Sequence, residues 1–376
     1  MNGKERVIHA IKKDLNAGPP FDLGSTCNTT ITKKAYINLE RALGIKDDKI
    51  KILSQPLQIV DINEEILVKL GVDTRGLFGK SEDTNNFFDS GMIDEWGIKY
   101  RPVHDNMGEI RYYEMIEHPL SKIESIKEIE DYILNLQISQ TKFKDLREKA
   151  KKLAQVGKYA IVGHAGDTAI FENSWYLRGM DNFFIDLMLN RKVAEAILEM
   201  LTNIQSHKLS RYLDEVGDYL DIVVIGDDLG GQQGPLISPE LYKKVVKPFH
   251  KKYISLIKSK TNAKLLFHCC GAISQFLPDL IDIGVDIINP VQVIAANMDP
   301  KQLKNEYGKE LVFWGAIDTQ WVLPKGNVQN VREEVNTRIE QLHDNGGYIV
   351  SAVHNIQDDV PPENILAMAD AIKEWR

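Results

Sequence analysis

The sequence predicts an α/β fold, a single (β/α)8 barrel over residues 1–376, and three observations predict it. Eight short apolar runs recur along the chain. Amphipathic stretches separate most of them, as repeated strand–helix–strand units require. The later runs are continuous in Val, Ile, Leu and Phe rather than alternating, as expected of parallel strands covered on both faces.

In order, the runs are 20–24 (PFDLG), 72–77 (VDTRGL), 159–167 (YAIVGHAGD) and 221–229 (DIVVIGDDL). Then come 263–271 (AKLLFHCCG), 285–291 (VDIINPV), 311–318 (LVFWGAID) and 346–354 (GGYIVSAVH). The first two carry the weakest strand pattern. Residues 190–216, 239–260 and 327–345 place apolar side chains at helical spacing between them. An open doubly wound sheet would more often stop at five or six strands and carry a glycine-rich phosphate turn after the first, and this chain has none. One section breaks the rhythm. Residues 94–116 alternate on either side of Asn106-Met107-Gly108, which predicts a β-hairpin inserted between the second and third barrel strands. That hairpin is a candidate cover for the barrel mouth or a contact in a homodimer.

Composition narrows the function classes. Hydrophobic residues make up 43% and charged residues 27%, ordinary globular proportions. The net charge of −8 argues against nucleic acid or an anionic membrane as partner, since both need clustered positive charge. No apolar run approaches the ~20 residues that cross a bilayer. The start of the chain reads as a polar amphipathic helix rather than a secretory leader. With three cysteines (Cys27, Cys269, Cys270), an odd count, this predicts a reducing, cytoplasmic setting.

Barrel enzymes gather their reacting groups at the C-terminal ends of the strands. The predicted ends carry Asp22, then Asp73 and Arg75, His164 and Asp167, Asp227 and Asp228, and His268 and Cys270. The remaining ends carry Asn289 and Gln292, Asp318, and His354, Asn355 and Gln357. Nearly every strand brings a polar group to one rim, which a purely structural barrel would not need. The chain therefore reads as an enzyme.

The sharpest pattern is His268-Cys269-Cys270-Gly271. Alternate strand residues share a face, so His268 and Cys270 point one way and Cys269 the other. An imidazole and a soft thiolate in one pocket suit zinc. His354 is the best-placed third ligand, and three ligands leave the open position of a catalytic site. On spacing alone, a small packing cysteine and a hydrogen-bonded core histidine are the competing reading. Of the paired acids Asp227 and Asp228, one is expected to cap the loop or helix after the fourth strand and the other to act in the site. In residues 171–180 (FENSWYLRGM), Glu172 is a candidate acid or metal ligand and Arg178 a candidate anion binder, while Trp175 and Tyr176 could line an apolar pocket. A buried Glu172–Arg178 ion pair is an equal alternative. Asp73, Arg75, Trp314 and Asp318 complete the candidate substrate-binding set.

FHCCG (267–271), INPVQ (288–292), FWGAID (313–318), HNIQDDVPPEN (354–364) and GDDLGGQ (226–232) together resemble the uroporphyrinogen decarboxylase superfamily across essentially the full length. The chain looks most like its zinc-dependent, corrinoid-linked methyltransferase branch. True decarboxylases carry an arginine-rich segment like RQAGRY near the N-terminus, whereas residues 22–30 (DLGSTCNTT) hold no arginine. The methyltransferase branch binds zinc through a His-x-Cys pair and a late cysteine. His268 and Cys270 match the pair, and His354 stands in place of the late cysteine. The resemblance implies methyl transfer between a corrinoid protein and a small molecule, such as a thiol, a tetrahydrofolate or a methoxylated compound. It also implies Gln292 or Glu172 completing the metal shell at rest, Asp228 as an orienting group, and Trp175, Tyr176 and Trp314 around the pocket. The Asp-x-His-x-x-Gly corrinoid signature is missing, so the corrinoid would arrive on a separate partner protein. Two rivals stand beside this reading. One is a metal-free decarboxylase of a small acid using Asp228 and His354, with Arg75 and Arg178 on the carboxylate. The other is a binding protein whose barrel only holds a corrinoid or tetrapyrrole.

Overall fold

The computed structural model describes residues 1–46, 49–79, 90–136, 143–166 and 168–376. Asp167, a predicted strand end, lies outside them. The strands are β1 (Lys51–Ser54), β2 (Ile59–Asp61), β3 (Thr74–Phe78), β4 (Met92–Ile93), β5 (Lys99–His104) and β6 (Ile110–Glu117). They continue with β7 (Ala160–His164), β8 (Ile222–Gly226), β9 (Lys264–His268), β10 (Ile287–Asn289), β11 (Val312–Ile317) and β12 (Tyr348–Ala352). Seven of these form one curled parallel sheet in the order β12-β11-β10-β9-β8-β7-β3, a TIM-barrel-like arrangement.

The first predicted run makes a bridge rather than a strand. Phe21 pairs in parallel with Val350 of β12, while the Asp73 N–H, just before β3, donates to the Phe21 carbonyl at 2.9 Å. Residues 20–22 therefore touch both edges of the seven-stranded sheet. Inside the curl, Ala160, Val162, Ile222, Val224, Leu266, Ile287, Val312, Trp314 and Ile349 pack together. Val7 and Ala10 of the helix Gly3–Lys12 join them from one end. The residues between, such as Val223, Ile225, Leu265 and Phe267, face the surrounding helices. Both faces are apolar, which is why the runs read as continuous rather than alternating.

The helix Arg191–Val216 and the helix Val328–Leu342 fall within the predicted amphipathic stretches. Residues 239–260 form Pro239–Leu241, a π-helical turn Tyr242–Val246 and the helix Lys247–Lys260. In the chain between β3 and β7, β5 and β6 pair antiparallel with Val103 opposite Tyr112, and β4 pairs with β5. Asp105 caps the connection by accepting the Met107 and Glu109 N–H groups, and it pairs with Lys34 of the helix Lys33–Leu43 at 3.0 Å. Among the described residues, no helix is long and apolar enough to cross a membrane.

Candidate metal centre at the barrel rim

Strand alternation decides which polar groups reach the interior. On β8, Ile222 and Val224 point inward and Val223 and Ile225 outward. Continued past the strand end, the alternation sends Asp228 inward and Asp227 outward. The hydrogen bonds agree. The Asp227 carboxylate accepts the N–H groups of Ile170, Phe171 and Glu172 at 2.7–3.1 Å, and His250 Nε2 donates to it at 2.8 Å. It thus closes the open first turn of the helix Phe171–Arg178, which follows β7, and its charge suits that helix end. Asp228 Oδ1 instead accepts the Cys270 N–H at 2.7 Å.

On β9, Leu266 is inward, and the same alternation carries His268 and Cys270 to the rim, leaving Cys269 buried among outward core residues. His268 Nε2 and Cys270 Sγ lie 3.3 Å apart. His354, two residues past β12, brings its ring centroid to 5.7 Å from that of His268. One ligand atom each from His268, Cys270 and His354 falls within 4.8 Å of the others. Glycines make this approach possible. At Gly271, φ is +85°, and a Cβ there would sit 2.4 Å from the Gly230 carbonyl oxygen. A Cβ on Gly230 would sit 2.8 Å from the Cys270 carbonyl oxygen. The HCCG and GDDLGG loops touch backbone to backbone, which only glycine permits.

The neighbours fix how the donors are presented. Asn289 Nδ2 donates to the Trp314 carbonyl at 3.2 Å, which turns Asn289 Oδ1 onto His268 Nδ1 at 2.6 Å. His268 Nδ1 therefore carries the proton and Nε2 offers its lone pair to the cluster, as metal-binding histidines need. Burial drives His354 down to about 3, with His268 adding to the shift, and His164 at the end of β7 down to about 4. Burial also raises the Cys270 thiol well above its ordinary value, and the Asp228 and Glu172 carboxylates push the same way. Neutral imidazoles, a thiol and nearby carboxylates form a donor set suited to a divalent cation. Asn28 Nδ2 points into the cluster, 3.0 Å from His268 Nε2 and 3.4 Å from His354 Nε2.

Around this centre, Tyr176 hydrogen-bonds Glu172 on the helix Phe171–Arg178, and the buried Trp175 Nε1 has no hydrogen-bond partner among the described residues. Gln292 Oε1 accepts the Gly271 N–H at 2.7 Å and so holds the HCCG turn. Asn355 binds the loop after the first run, donating to the Cys27 carbonyl and accepting from the Thr30 N–H, both at 2.9 Å.

Five predicted substrate-binding residues are engaged elsewhere. Asp73 precedes β3 and pairs with Arg6 at 2.7 Å and Arg376 at 2.6 Å, at the strand's N-terminal end. Arg75 faces outward, bound to Glu64 at 2.7 Å and stacked over Tyr159. The second run continues to Phe78, so its true end lies beyond both. Arg178 pairs with Asp186 at 2.7 Å rather than with Glu172, and it binds the Leu120 and Ser121 carbonyls. Trp314 is fully buried in the inner cluster, its Nε1 donating to Asp22 at 3.1 Å. Asp318 accepts the N–H groups of Gln320, Trp321 and Val322, capping the turn after β11. Asn28 and the orienting role of Asn289 went unassigned in the sequence. Strand parity and rim position were available signals for Asn289, whereas Asn28 sits in a polar loop with no pattern of its own.

A family model for uroporphyrinogen decarboxylase (URO-D) matches residues 106–375. The chain belongs to the uroporphyrinogen decarboxylase family. Within it, the uroporphyrinogen decarboxylase of Psychromonas ingrahamii is 25% identical over 291 residues, covering 72% of this chain and 75% of the relative. That of Francisella tularensis subsp. novicida is 26% identical over 188 residues, so the chain spans about half the length of the Francisella relatives it matches. Among solved structures, a methyltransferase from Methanosarcina mazei shares the fold over 100% of this chain and 99% of its own, with a TM-score of 0.67 and 18% identity.

Proposed function

We propose that this family member is a one-domain, zinc-dependent methyltransferase that moves a methyl group between a corrinoid protein and a small-molecule donor or acceptor. The observation that carries the reading is the convergence of His268, Cys270 and His354 at the rim, with one ligand atom each inside 4.8 Å. Zinc bound there would lower the pKa of a coordinated thiol or polarise the heteroatom of a methyl donor. The chain's own groups prepare that chemistry. Asn289 holds the His268 lone pair toward the cluster, and Asp228 anchors the backbone of Cys270. Glu172, whose charge acts on Cys270 and which Tyr176 hydrogen-bonds, would take the proton that an incoming thiol gives up. Gln292 keeps the HCCG turn closed. The corrinoid would be presented over the rim by a separate protein. The fold shared with the Methanosarcina mazei methyltransferase supports this reading.

Decarboxylation is the second reading, favoured by the names of the curated relatives. The arginines that reading would use are not at the site: residues 22–30 contain no arginine, and Arg75 and Arg178 are held in ion pairs away from the rim. The deciding experiment gives the purified protein methylcobalamin and a panel of thiols and follows the cobalamin spectrum, with Cys270→Ala as control. Thiol-dependent demethylation that disappears in the variant supports methyl transfer. No spectral change with any thiol, together with CO2 release from small carboxylic acids, would establish the decarboxylase instead.

A further inference from the structure

The loop after the first run places a carboxamide where the lone pairs of the cluster converge. Asn28 Nδ2 is within hydrogen-bond reach of His268 Nε2 (3.0 Å) and His354 Nε2 (3.4 Å). His268 Nε2 must be an acceptor, because Asn289 takes the proton on Nδ1. An amide NH2 group, with two N–H bonds, can serve both rings at once. It thereby offers the two histidines the partial positive charge that a cation would offer.

Resting on the zinc reading above, we propose that Asn28 is the fourth, oxygen-donating ligand of the metal centre, brought to it by rotation of the same carboxamide. Two features of the structure keep the Asn28 loop at the site. The loop backbone is tied on both sides: the Asn28 N–H donates to Thr26 Oγ1 at 3.1 Å, and Asn355 holds Cys27 and Thr30. The Thr26 and Thr29 hydroxyls also bond to each other at 3.0 Å. These ties hold the Asn28 backbone beside the cluster, so its carboxamide stays within reach of both histidines. A half-turn about the Cβ–Cγ bond exchanges nitrogen for oxygen in nearly the same volume, and a cation repels the NH2 end and attracts the carbonyl end. A carboxamide oxygen is neutral and binds a divalent cation more weakly than a thiolate, so an incoming substrate heteroatom can displace it. The open position of the three-ligand site would then be guarded by Asn28 rather than left to water.

Zinc affinity, measured by competition with a chromophoric chelator, separates the possibilities. It would be compared in the wild type, Asn28→Ala and Asn28→Asp, with thermal melting to verify folding. The ligand role predicts about 10-fold weaker binding in Asn28→Ala, and binding at least as tight as wild type in Asn28→Asp, which keeps an oxygen and adds charge. Cobalt(II) loaded in place of zinc should show an altered visible ligand-field spectrum in Asn28→Ala. Zinc binding in Asn28→Ala equal to or tighter than wild type would overturn the proposal, because Asn28 would then only compete with the metal. A wild type that binds no zinc would remove the centre itself and this ligand with it, an outcome read from stoichiometry rather than from the variants.

Discussion

Replacing Asp227 with alanine should destabilise the protein without touching the proposed metal ligands. Its buried carboxylate takes three backbone N–H groups from the first turn of the helix Phe171–Arg178 and a fourth hydrogen bond from His250. Alanine strands all four donors in the interior. Charged hydrogen bonds contribute about 1.5–3 kcal/mol each, but shared acceptors and local relaxation reduce the sum, so a net loss of roughly 3–5 kcal/mol is expected. At roughly 2.1 cal/mol/K per residue, the unfolding entropy of this chain makes that a fall of about 4–6 °C in Tm. Asp227→Asn should lose nearly as much, because its NH2 would face N–H donors. Differential scanning calorimetry of both variants checks this, beside zinc content, which should stay at the wild-type level. A Tm within about 1 °C of wild type for either variant would refute the capping role.

Other expectations follow from the same contacts. Asn289→Ala removes the acceptor that fixes His268 and should weaken zinc binding by roughly 10- to 100-fold in a chelator titration, while the partners it leaves buried cost about 1–3 kcal/mol in folding. Arg178→Met breaks the buried pair with Asp186 and should lose about 3–5 kcal/mol in urea unfolding, while KM for the small substrate stays unchanged. A KM rise without destabilisation would return Arg178 to the site. Lys304, which binds the Gly346 carbonyl, is lowered by burial to about 8 from 10.5, with Lys13 lowering it further and Asp344 opposing. The unfolded chain then holds more protons between those values, so this group's contribution to stability rises from about pH 8 to 10.5. Lys304→Met should lose that rise, and urea midpoints for both proteins across the window test it.

Much of the fold was legible because both sheet faces are apolar. The runs at 159–167, 221–229, 263–271, 285–291, 311–318 and 346–354 each contain one strand of the sheet. The 20–24 run yields only a bridge, since Asp22 at its polar end binds Trp314 and Thr74 rather than extending a ladder. The site was legible where parity alone decides: His268 and Cys270 share a face, and the same rule separates Asp228 from Asp227. It failed where a strand end was misjudged. Phe78 ends β3, so Asp73 and Arg75 lie at the wrong height, and Arg75 also on the outward face. It failed too where a polar side chain is taken up structurally, Asp318 by its own turn and Arg178 by Asp186 and the Leu120 and Ser121 carbonyls. Asn28 carries no local signal, because its position depends on Asn355, over 300 residues away in sequence, gripping its loop.

The central claim is a metal centre held by His268, Cys270 and His354. The most direct measurement is zinc content, by inductively coupled plasma mass spectrometry, of protein purified without chelator, beside His354→Ala and the His268→Ala/Cys270→Ala double variant. The account predicts about one zinc per chain in the wild type, a reduced content in His354→Ala and none in the double variant. Equal zinc in all three folded proteins, or none in the wild type after supplementation, would contradict it.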